Sequence, residues 1–446
     1  MQSSASTHEF HVTNRIVLRI AVPMTLSFMT VPLLGLVDTA VVGQFGNPAM
    51  LGGLAVGAVI FEILFTTFNF LRTGTTAFVA QAMGRGDLAE QQAVFWRALI
   101  LAGVIGIAAL LLSPFLNQFA LWVMDPSEDV YASALTYITI RFFGAPFSLA
   151  NYAMLGLLLG QGRSFLTLGL QSLINGLNIS LSVLLGLWMG WGVAGVAWAT
   201  VIGEAIVAVG ALIWIHGQFD KETMPSWPDI LHRSDFAKLM SVNIDIMIRS
   251  FALVAAFFLF TRFSAQFDEV TLAANAILMN FFLLSAYFLD GLAAASEQLA
   301  GRAVGAGARA SFWAIVKRTV GFGFIVSAVA ATVLMVFGDG FIAFMTTSEE
   351  VRSVARTYLS WAAMTAVIGV LAFQMDGIFI GATWSREMRN LMLLALVSFV
   401  VFASLLVPPF SNHGLWLALN LWLLVRGITM LAVLPRKARQ VFSTSA

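Results

Sequence analysis

Long apolar runs, separated by short clusters of charged, glycine, proline or asparagine residues, form the pattern of the whole chain. The runs are continuous rather than alternating, which indicates membrane-spanning helices and excludes a membrane β-barrel. Twelve helices are predicted, near residues 16–42, 51–80, 94–121, 131–160, 165–188, 193–216, 237–263, 271–297, 312–338, 352–381, 388–408 and 414–434. The longest polar interruption falls near the middle of the chain. It predicts an N-lobe at 1–215, a linker at 216–236 and a C-lobe at 237–446.

The amino-acid composition supports a membrane protein. Hydrophobic residues make up 59% of the chain and charged residues 11%, which is less than half of the roughly 25% typical of soluble domains. A soluble multidomain enzyme is therefore excluded. The 24 basic and 23 acidic residues leave a formal charge of +1, which argues against nucleic acid as a partner. Because the sequence has no cysteine, disulfides and cysteine-ligated metal sites are excluded.

Basic residues mark one side of the predicted membrane. They gather near both termini and in the connections that follow even-numbered spans, such as Arg85, Arg163 and Arg309. The connections that follow odd-numbered spans contain almost none. Because short cytoplasmic loops accumulate Lys and Arg, both termini and the linker are expected in the cytoplasm. Residues 1–14 are polar and precede no signal cleavage site, so we expect this segment to be retained.

The second half of the chain resembles the first at a constant offset of 221 residues, the separation of Leu51 and Leu272. The same offset pairs Phe61 with Phe282, Gly84 with Gly305, Gly156 with Gly377 and Gly160 with Gly381. Apolar helices can match by chance, but the polar loops 124–130 (MDPSEDV) and 345–351 (MTTSEEV) match at this offset too. A duplication of six helices, an even number, predicts two parallel lobes related by an axis along the membrane normal, as in transporters. The two glycine pairs follow a small-xxx-small pattern, which predicts close helix packing rather than ligand contact.

Asp38 is the most informative charge within a predicted span. It lies in VPLLGLVDTAVVG, and no basic residue lies within a helical turn of it. A charge at a helix centre costs about 2.5–3.5 kcal/mol, so this acid is expected to take up a proton or to be held ionised by a cation. Both states suit coupling to an ion gradient, whereas the alternative is a purely structural acid. Pro32 and Gly35, about one turn earlier, weaken the helix and would allow it to bend.

Four further acids within predicted spans are candidates for a C-lobe ion site or for contacts with substrate. They are Asp376, Glu204, Asp290 and Glu62. Asp376 in FQMDGIFIG resembles Asp38 in its apolar surroundings. The other three have a simpler alternative, since each can lie near an interface or pair with a distant basic residue.

Other polar residues within spans need partners. Asn175 and Asn178 fall in the fifth span, and buried amides require hydrogen bonds. We expect them to line a polar pocket with Asp38. Asp245 and Arg249 lie four residues apart, which predicts a local ion pair on one helix face.

Signatures of catalysis are missing from the sequence. It contains no H-E-x-x-H, no G-x-S-x-G and no Walker A pattern, and its five histidines are scattered. The chain is therefore not expected to be an enzyme. Without a nucleotide site it is also not expected to act as a primary pump by itself.

Six segments resemble the multidrug and toxic compound extrusion (MATE) family, and most of all its DNA-damage-inducible protein F (DinF) branch. They are VPLLGLVDTAVVG, LGGLAVG, AQAMGRGD, NISLS, GVAWATVIGE and MDGIFIGATWSREMRN. The resemblance extends over essentially the whole chain, including the twelve spans and the duplicated lobes. The resemblance implies a cation-coupled antiporter that expels organic, often cationic or amphipathic, compounds by alternating access of two lobes. We also expect an inner-membrane monomer without cofactor or metal. Its partners would be small organic substrates, the coupling cation and membrane lipids.

The resemblance also implies roles for individual residues. The coupling acid of the first span matches Asp38, and the family's N-lobe cation site matches Asn178 and Thr200. Relatives often carry Asp four residues after that Asn, where this chain has Ser182. Because a hard cation prefers several charged oxygen ligands, this difference favours protons over sodium as the coupling ion. The tenth-span acid of the NorM branch matches Asp376, but the seventh-span Glu of that branch has no counterpart here.

Two other functions stay open at this point. A lipid-linked precursor flippase or polysaccharide exporter of the same superfamily would need a basic cavity for pyrophosphate. The basic residues within predicted spans are few, chiefly Arg72, Arg141, Arg249, Arg262 and Arg426. A passive channel or membrane-embedded sensor would be expected to carry a repeated pore motif or an appended soluble domain, and the sequence contains neither.

Overall fold

The structure is a computed structural model that describes residues 10–443; the first nine and last three residues, including part of the polar segment 1–14, lie outside this range. The described residues form helices and no strand. The first half contains α1 (Asn14–Met29), α2 (Val31–Gly43), α3 (Pro48–Phe68), α4 (Phe70–Arg85), α5 (Leu88–Met124), α6 (Glu128–Gly160), α7 (Ser164–Leu181), a π-helical segment (Ser182–Trp188) and α8 (Gly192–Gln218). The second half contains α9 (Trp227–Ile230), α10 (Arg233–Ser264), α11 (Glu269–Gly305), α12 (Arg309–Met345), α13 (Glu349–Ile368), α14 (Val370–Gly381) and α15 (Ser385–Ser443).

Eleven helical stretches in the described range are long and apolar enough to cross a membrane. The last of them, α15, has 59 residues and breaks at Ser411, where φ is 48° and ψ is −130°. Pro408 and Pro409, just before the break, cannot donate helix hydrogen bonds. Each side of the break exceeds the roughly 20 residues that one span needs. The eleventh and twelfth predicted spans are both present in α15, and the predicted all-helical membrane fold is confirmed.

Several helices begin earlier than predicted because capping residues lie outside the apolar runs. α5 was expected from residue 94, but Asp87 accepts a hydrogen bond from the amide of Glu90 at 2.9 Å and starts the helix at once. Asp268 caps α11 in the same way, through the amide of Thr271 at 2.8 Å. Hydrogen bonds from the amide and hydroxyl of Thr271 hold the pKa of Asp268 below its ordinary value. Periodicity alone therefore underestimates these helices.

The repeated loops 124–130 and 345–351 are the starts of two long helices. Ser127 precedes α6 and Ser348 precedes α13, and each first turn carries two acids. The Ser348 hydroxyl accepts a hydrogen bond from the amide of Val351 at 3.4 Å. Acids in the first turn are favoured by the positive end of the helix dipole. The two loops match because both halves of the chain must begin a helix here.

The described residues divide into two compact units: the first comprises 26–83 and 87–243, and the second comprises 10–25, 84–86 and 244–443. The beginning of α1 belongs to the second unit because it packs tightly on α11. A Cβ added to Gly291 of α11 would lie 1.9 Å from the hydroxyl oxygen of Thr25. In this division residues 10–25 belong to the second unit, and the first unit extends to residue 243. The predicted N-lobe instead begins at the N-terminus and ends at residue 215. The N-lobe, linker and C-lobe boundaries stay a prediction.

Three spans are interrupted along their length, at Thr30, at Asn69 and at Gly369. At the first interruption the Thr30 hydroxyl donates a hydrogen bond to the carbonyl of Ser27 at 2.7 Å. Pro32 follows and cannot donate an amide hydrogen to the preceding turn. The helix that carries Asp38 is thus separated from α1 about two turns before the acid.

Close helix packing uses the two repeated glycine pairs, as the small-xxx-small pattern predicts. In the first unit, a Cβ on Gly156 would lie 2.6 Å from a backbone oxygen of α4, and Gly160 is similarly crowded. In the second unit, a Cβ on Gly377 would lie 2.2 Å from the carbonyl oxygen of Ala293, and Gly381 is equally crowded. At these positions only a hydrogen atom fits between neighbouring helices. The packing interpretation is confirmed.

Replacing Gly377 by alanine is expected to destabilise the protein, because the new methyl group would overlap the carbonyl oxygen of Ala293. Overpacking of this kind costs about 1–3 kcal/mol. The matched control is Gly321→Ala in α12, where nothing lies within 4 Å of the added atom. Thermal unfolding of the purified proteins in detergent measures the difference. Equal melting temperatures for the two variants would contradict the close approach of α11 and α14.

Candidate functional site

Asp38 lies on α2 in the first unit, and only 8% of the residue is exposed. The hydroxyl of Ser182, the first residue of the π-helical segment, donates a hydrogen bond to Asp38 Oδ1 at 2.8 Å. No ion pair to Asp38 exists among residues 10–443. The acid is therefore buried against a neutral hydrogen-bond donor.

Two more residues predicted for the cation site join this acid. The Asn178 amide donates a hydrogen bond to the Thr200 hydroxyl at 2.6 Å, and the Thr200 hydroxyl donates to the carbonyl of Val196 at 3.2 Å. The Ser182 oxygen lies 3.4 Å from Asn178 Oδ1, so this pair is next to the serine that donates to Asp38. We call these four residues, Asp38, Ser182, Asn178 and Thr200, the Asp38 cluster. It draws on α2, α7, the π-helical segment and α8, and it contains a single carboxylate.

Asn175 lies apart from the Asp38 cluster. Its amide donates a hydrogen bond to the Thr30 hydroxyl at 2.6 Å, and its oxygen accepts one from Gln171 at 3.0 Å. Thr30 is the residue at which the first span is interrupted. The structure therefore places Asn175 beside this interruption and not beside Asp38.

Ser182 is the partner of Asp38 that sequence reasoning missed. The sequence marks it only as a lost carboxylate, although its spacing of four residues from Asn178 puts both side chains on one helix face. The helix widens into a π-helix at Ser182, a feature frequent at functional sites. A Cβ on Gly195 of α8 would lie 2.6 Å from the backbone of Gly186. This contact holds the π-helical segment against the helix that carries Thr200.

The Asp38 cluster combines neutral hydroxyl and amide groups with one carboxylate. Within residues 10–443, no group of three or more His, Cys, Asp or Glu side chains could hold a metal. The cluster offers hydroxyl and amide oxygens but one negative charge. Hard cations favour several carboxylate oxygens, whereas a proton needs one carboxylate only.

A second charged group lies one helical turn beyond the Asp38 cluster. Glu204 follows Thr200 by four residues on α8, and the Ser148 hydroxyl contacts its carboxylate. Arg141 Nη1 lies 3.9 Å from Glu204 Oε1. The guanidinium carbon of Arg141 lies 5.0 Å from the ring centre of Phe61. The sequence indicated Glu204 and Arg141 separately, but nothing in their spacing signals that α6 and α8 bring them together.

Asp376 lies on α14 in the second unit and is 5% exposed. Arg249 of α10 and Arg426 of α15 both form ion pairs with its carboxylate. The predicted local pair of Asp245 with Arg249 is wrong, because Asp245 pairs instead with Arg389 at 2.6 Å. Helical spacing places two charges on one face, but neighbouring helices supply closer partners. Asp376 therefore differs from Asp38 in having two cationic neighbours.

The remaining candidates lie elsewhere. Glu62 is exposed on α3, and Asp290 is partly buried on α11, where its charge acts on Arg426. Of the basic residues considered for a pyrophosphate cavity, Arg262 is exposed. Arg72 donates a hydrogen bond to Asn69 Oδ1 at 3.0 Å. Asn69 is the residue at which the second span is interrupted.

Replacing Asp376 by asparagine is expected to lower the melting temperature strongly, because the buried Arg426 and the partly buried Arg249 lose the carboxylate that they share. Removing one side of a buried ion pair costs about 3–5 kcal/mol. Glu62→Gln, which neutralises an exposed acid, is the control and is expected to change the melting temperature little. If thermal unfolding in detergent gives the same value for both variants, the ion pairs of Asp376 do not stabilise the fold.

Known proteins resemble this chain in sequence and in fold. The MatE family profile matches residues 23–184 and 246–405. DNA damage-inducible protein F of Escherichia coli K12 is 37% identical over 94% of this chain and 92% of its own. Multidrug resistance protein PmpM of Pseudomonas aeruginosa is 24% identical over 95% of this chain and 91% of its own.

Among solved structures, the outward-facing conformation of a multidrug resistance MATE family transporter of the MOP superfamily gives a TM-score of 0.88. It is 18% identical and covers 100% of this chain and 99% of its own, which shows the fold alone. The family profile covers more than half of the sequence, and the E. coli relative is similar along nearly all of it. The chain therefore belongs to the MatE family of transporters, and within it to the branch of DNA damage-inducible protein F.

Proposed function

We propose that the protein is a secondary active efflux antiporter that exchanges protons for organic, often cationic or amphipathic, compounds by alternating access. Asp38 is its coupling carboxylate. The observation that carries this proposal is the burial of Asp38 on a membrane helix against the neutral hydroxyl of Ser182. Such an acid changes between its ionised and protonated states without breaking an ion pair. Membership of a transporter family supports the transport activity and argues against an enzyme.

Protonation of Asp38 would change the packing of the Asp38 cluster. An ionised carboxylate only accepts hydrogen bonds, whereas a protonated one also donates. Removal of the charge also removes a cost of about 2.5–3.5 kcal/mol for an acid within a membrane helix. The two protonation states therefore favour different arrangements of α2 against α7 and α8. Coupling follows if substrate binds these arrangements with different affinity.

Sodium is the alternative coupling ion. Of the Asp38 cluster, only Ser182 contacts the carboxylate, and Asn178 and Thr200 follow behind it. Relatives often carry a second carboxylate at the position of Ser182. With one charge fewer, the cluster is a weaker ligand set for a metal cation. This difference favours protons.

The proposal extends to the setting of the transporter. We place it in the inner membrane as a monomer with both termini in the cytoplasm, because basic residues gather in the connections on that side. Asn178 and Thr200 support Asp38, and Asn175 acts at the interruption of the first span. Its partners are small organic substrates, the coupling cation and membrane lipids.

A flippase for lipid-linked precursors finds less support in the contacts of the buried arginines. Arg249 and Arg426 share Asp376, and Arg141 faces Glu204. Their charges are already balanced by acids of the protein. A pyrophosphate group would have to compete with those acids.

Asp38→Asn is expected to reduce gradient-driven dye efflux from vesicles to the background level, because an amide cannot bind and release a proton. The control is Glu222→Gln, which removes an exposed acid outside the spans and is expected to transport as the parent protein does. The measurement imposes a proton gradient or a sodium gradient separately. Undiminished efflux by Asp38→Asn would contradict the role of Asp38, and a response to sodium alone would contradict proton coupling.

Ser182→Asp is expected to make efflux respond to a sodium gradient as well. The new carboxylate would lie beside Asp38, where the hydroxyl now stands 2.8 Å away, and would give a metal cation a second charged ligand. Ser180→Asp is the control, since Ser180 is exposed on the same helix. A folded Ser182→Asp protein that responds only to protons would show that the missing carboxylate does not decide the coupling ion.

A further inference from the structure

Basic residues accumulate without acids in two stretches of the second unit. Residues 301–320 and 435–443 together contain seven Lys and Arg residues and no Asp or Glu. The stretches 221 residues earlier, which correspond to them in the repeat, contain three basic and four acidic residues. Asp87 and Glu90, for example, correspond to Ala308 and Ser311. The two halves therefore differ in charge at matching places of a shared helical scaffold.

Membrane topology does not account for this difference. The orientation of a span depends on Lys and Arg in short connections, whereas Asp and Glu contribute little to it. Acids are therefore tolerated in such connections, as Asp87 and Glu90 show in the first half. Without acids, the basic residues of 301–320 and 435–443 produce a strong positive potential.

The start of α12 and the two ends of α15 converge in the second unit. The ring centre of Phe312 lies 5.4 Å from that of Phe442 and 5.8 Å from that of Trp384. Lys437, near the end of α15, forms an ion pair with Glu387 near its start. These contacts bring the charges of three chain segments to one end of the unit.

Four exposed arginines lie next to these contacts. They are Arg309, Arg386, Arg436 and Arg439, and we call them the basic patch. Each lies within three residues along the chain of a residue that makes one of the contacts above. Within residues 10–443, no protein group forms a side-chain hydrogen bond or an ion pair with any of the four. Their charges are therefore available to a partner outside the protein.

Neighbouring acids do not neutralise the basic patch. Glu387 is paired with Lys437, and Asp245 is paired with Arg389 at 2.6 Å. Both acids are thus already balanced by basic residues that do not belong to the patch.

The basic patch lies at the depth of lipid headgroups. Residues 412–435 of α15 extend over about 36 Å, slightly more than the roughly 30 Å of the hydrocarbon core. Arg436 follows directly. Arg309 is the first residue of α12, and the partly buried Trp313 lies one turn later. Tryptophan is enriched where a span meets the headgroups, so Arg309 lies at the same level.

We propose that the basic patch is a docking surface for the headgroups of anionic phospholipids in the adjacent leaflet. The forked N–H donors of a guanidinium match phosphate oxygens, and each basic residue near an anionic membrane surface adds to the attraction. With both termini in the cytoplasm, as in the proposed function, this is the inner leaflet. The inference goes beyond coupling at Asp38, because it concerns the lipids that the second unit holds around it.

The test counts lipids bound to purified full-length protein in a neutral detergent by native mass spectrometry, during titration with dioleoyl phosphatidylglycerol or dioleoyl phosphatidylcholine. The parent protein is expected to bind the anionic lipid about tenfold more tightly. Arg436→Gln combined with Arg439→Gln is expected to remove this preference and to leave binding of phosphatidylcholine unchanged. The control is Lys221→Gln combined with Arg233→Gln, which removes the same charge from exposed positions in the central polar connection. It is expected to bind both lipids as the parent protein does.

Two further double variants keep the inference testable. Arg436→Lys with Arg439→Lys retains the charges and is expected to retain the preference. Arg309→Gln with Arg386→Gln is expected to lose it, and this pair serves if the first pair does not fold.

The inference is overturned if the parent protein binds the two lipids equally or if the control loses the preference as well. Retention of the preference by both folded glutamine pairs, or its loss in the folded lysine pair, would also overturn it. Displacement of the bound lipid by millimolar inorganic phosphate would show a site for a free anion instead. None of these measurements involves transport, so they are independent of the outcome for Asp38→Asn.

Discussion

An ionised side chain within a membrane helix must find a counter-charge or give up its own, and this requirement organises the polar interior of both units. The second unit satisfies it with fixed pairs, since Arg249 and Arg426 share Asp376. The first unit leaves Asp38 against a hydroxyl. The two units therefore meet the same requirement differently, one with ion pairs and the other with a neutral hydrogen-bond donor.

This difference arose on a duplicated scaffold. The repeat preserves the features that build helices, such as the loop serines before α6 and α13 and the glycines that let helices approach. It does not preserve the charges: at the same offset, the positions that correspond to Asp38, Arg141 and Glu204 hold Leu259, Ala362 and Val425. The two halves share their helix starts and their helix packing because both must cross a bilayer. Their polar chemistry is free to differ because it depends on single side chains.

Much of the fold could be predicted from the sequence because long apolar runs determine membrane spans locally. The start of α5 at Asp87 was missed, since capping depends on polar residues outside those runs. Within the site, a polar pocket of Asp38 with Asn178 was expected because a buried amide needs partners, whereas Thr200 came from the family resemblance alone.

Other contacts could not be predicted because they join different helices. The partner of Asp245 is Arg389 on α15, far from the neighbour that helical spacing offers. Ser182 was expected to matter through the carboxylate that it lacks, yet its hydroxyl is the group that contacts Asp38. The sequence shows which side chains are costly to bury. The tertiary packing determines which of these side chains contact each other.

The place of α1 has a consequence for how this transporter can be divided. The repeat suggests two interchangeable halves that could be produced separately by cutting the chain in its central polar connection. Residues 10–25, however, belong to the second unit, where the Thr25 side chain packs against Gly291. A first fragment cut there would carry a segment that packs against residues of the other fragment, such as Gly291 and Ser311. The two halves of the gene are therefore not two independent folding modules, even though the sequence repeats.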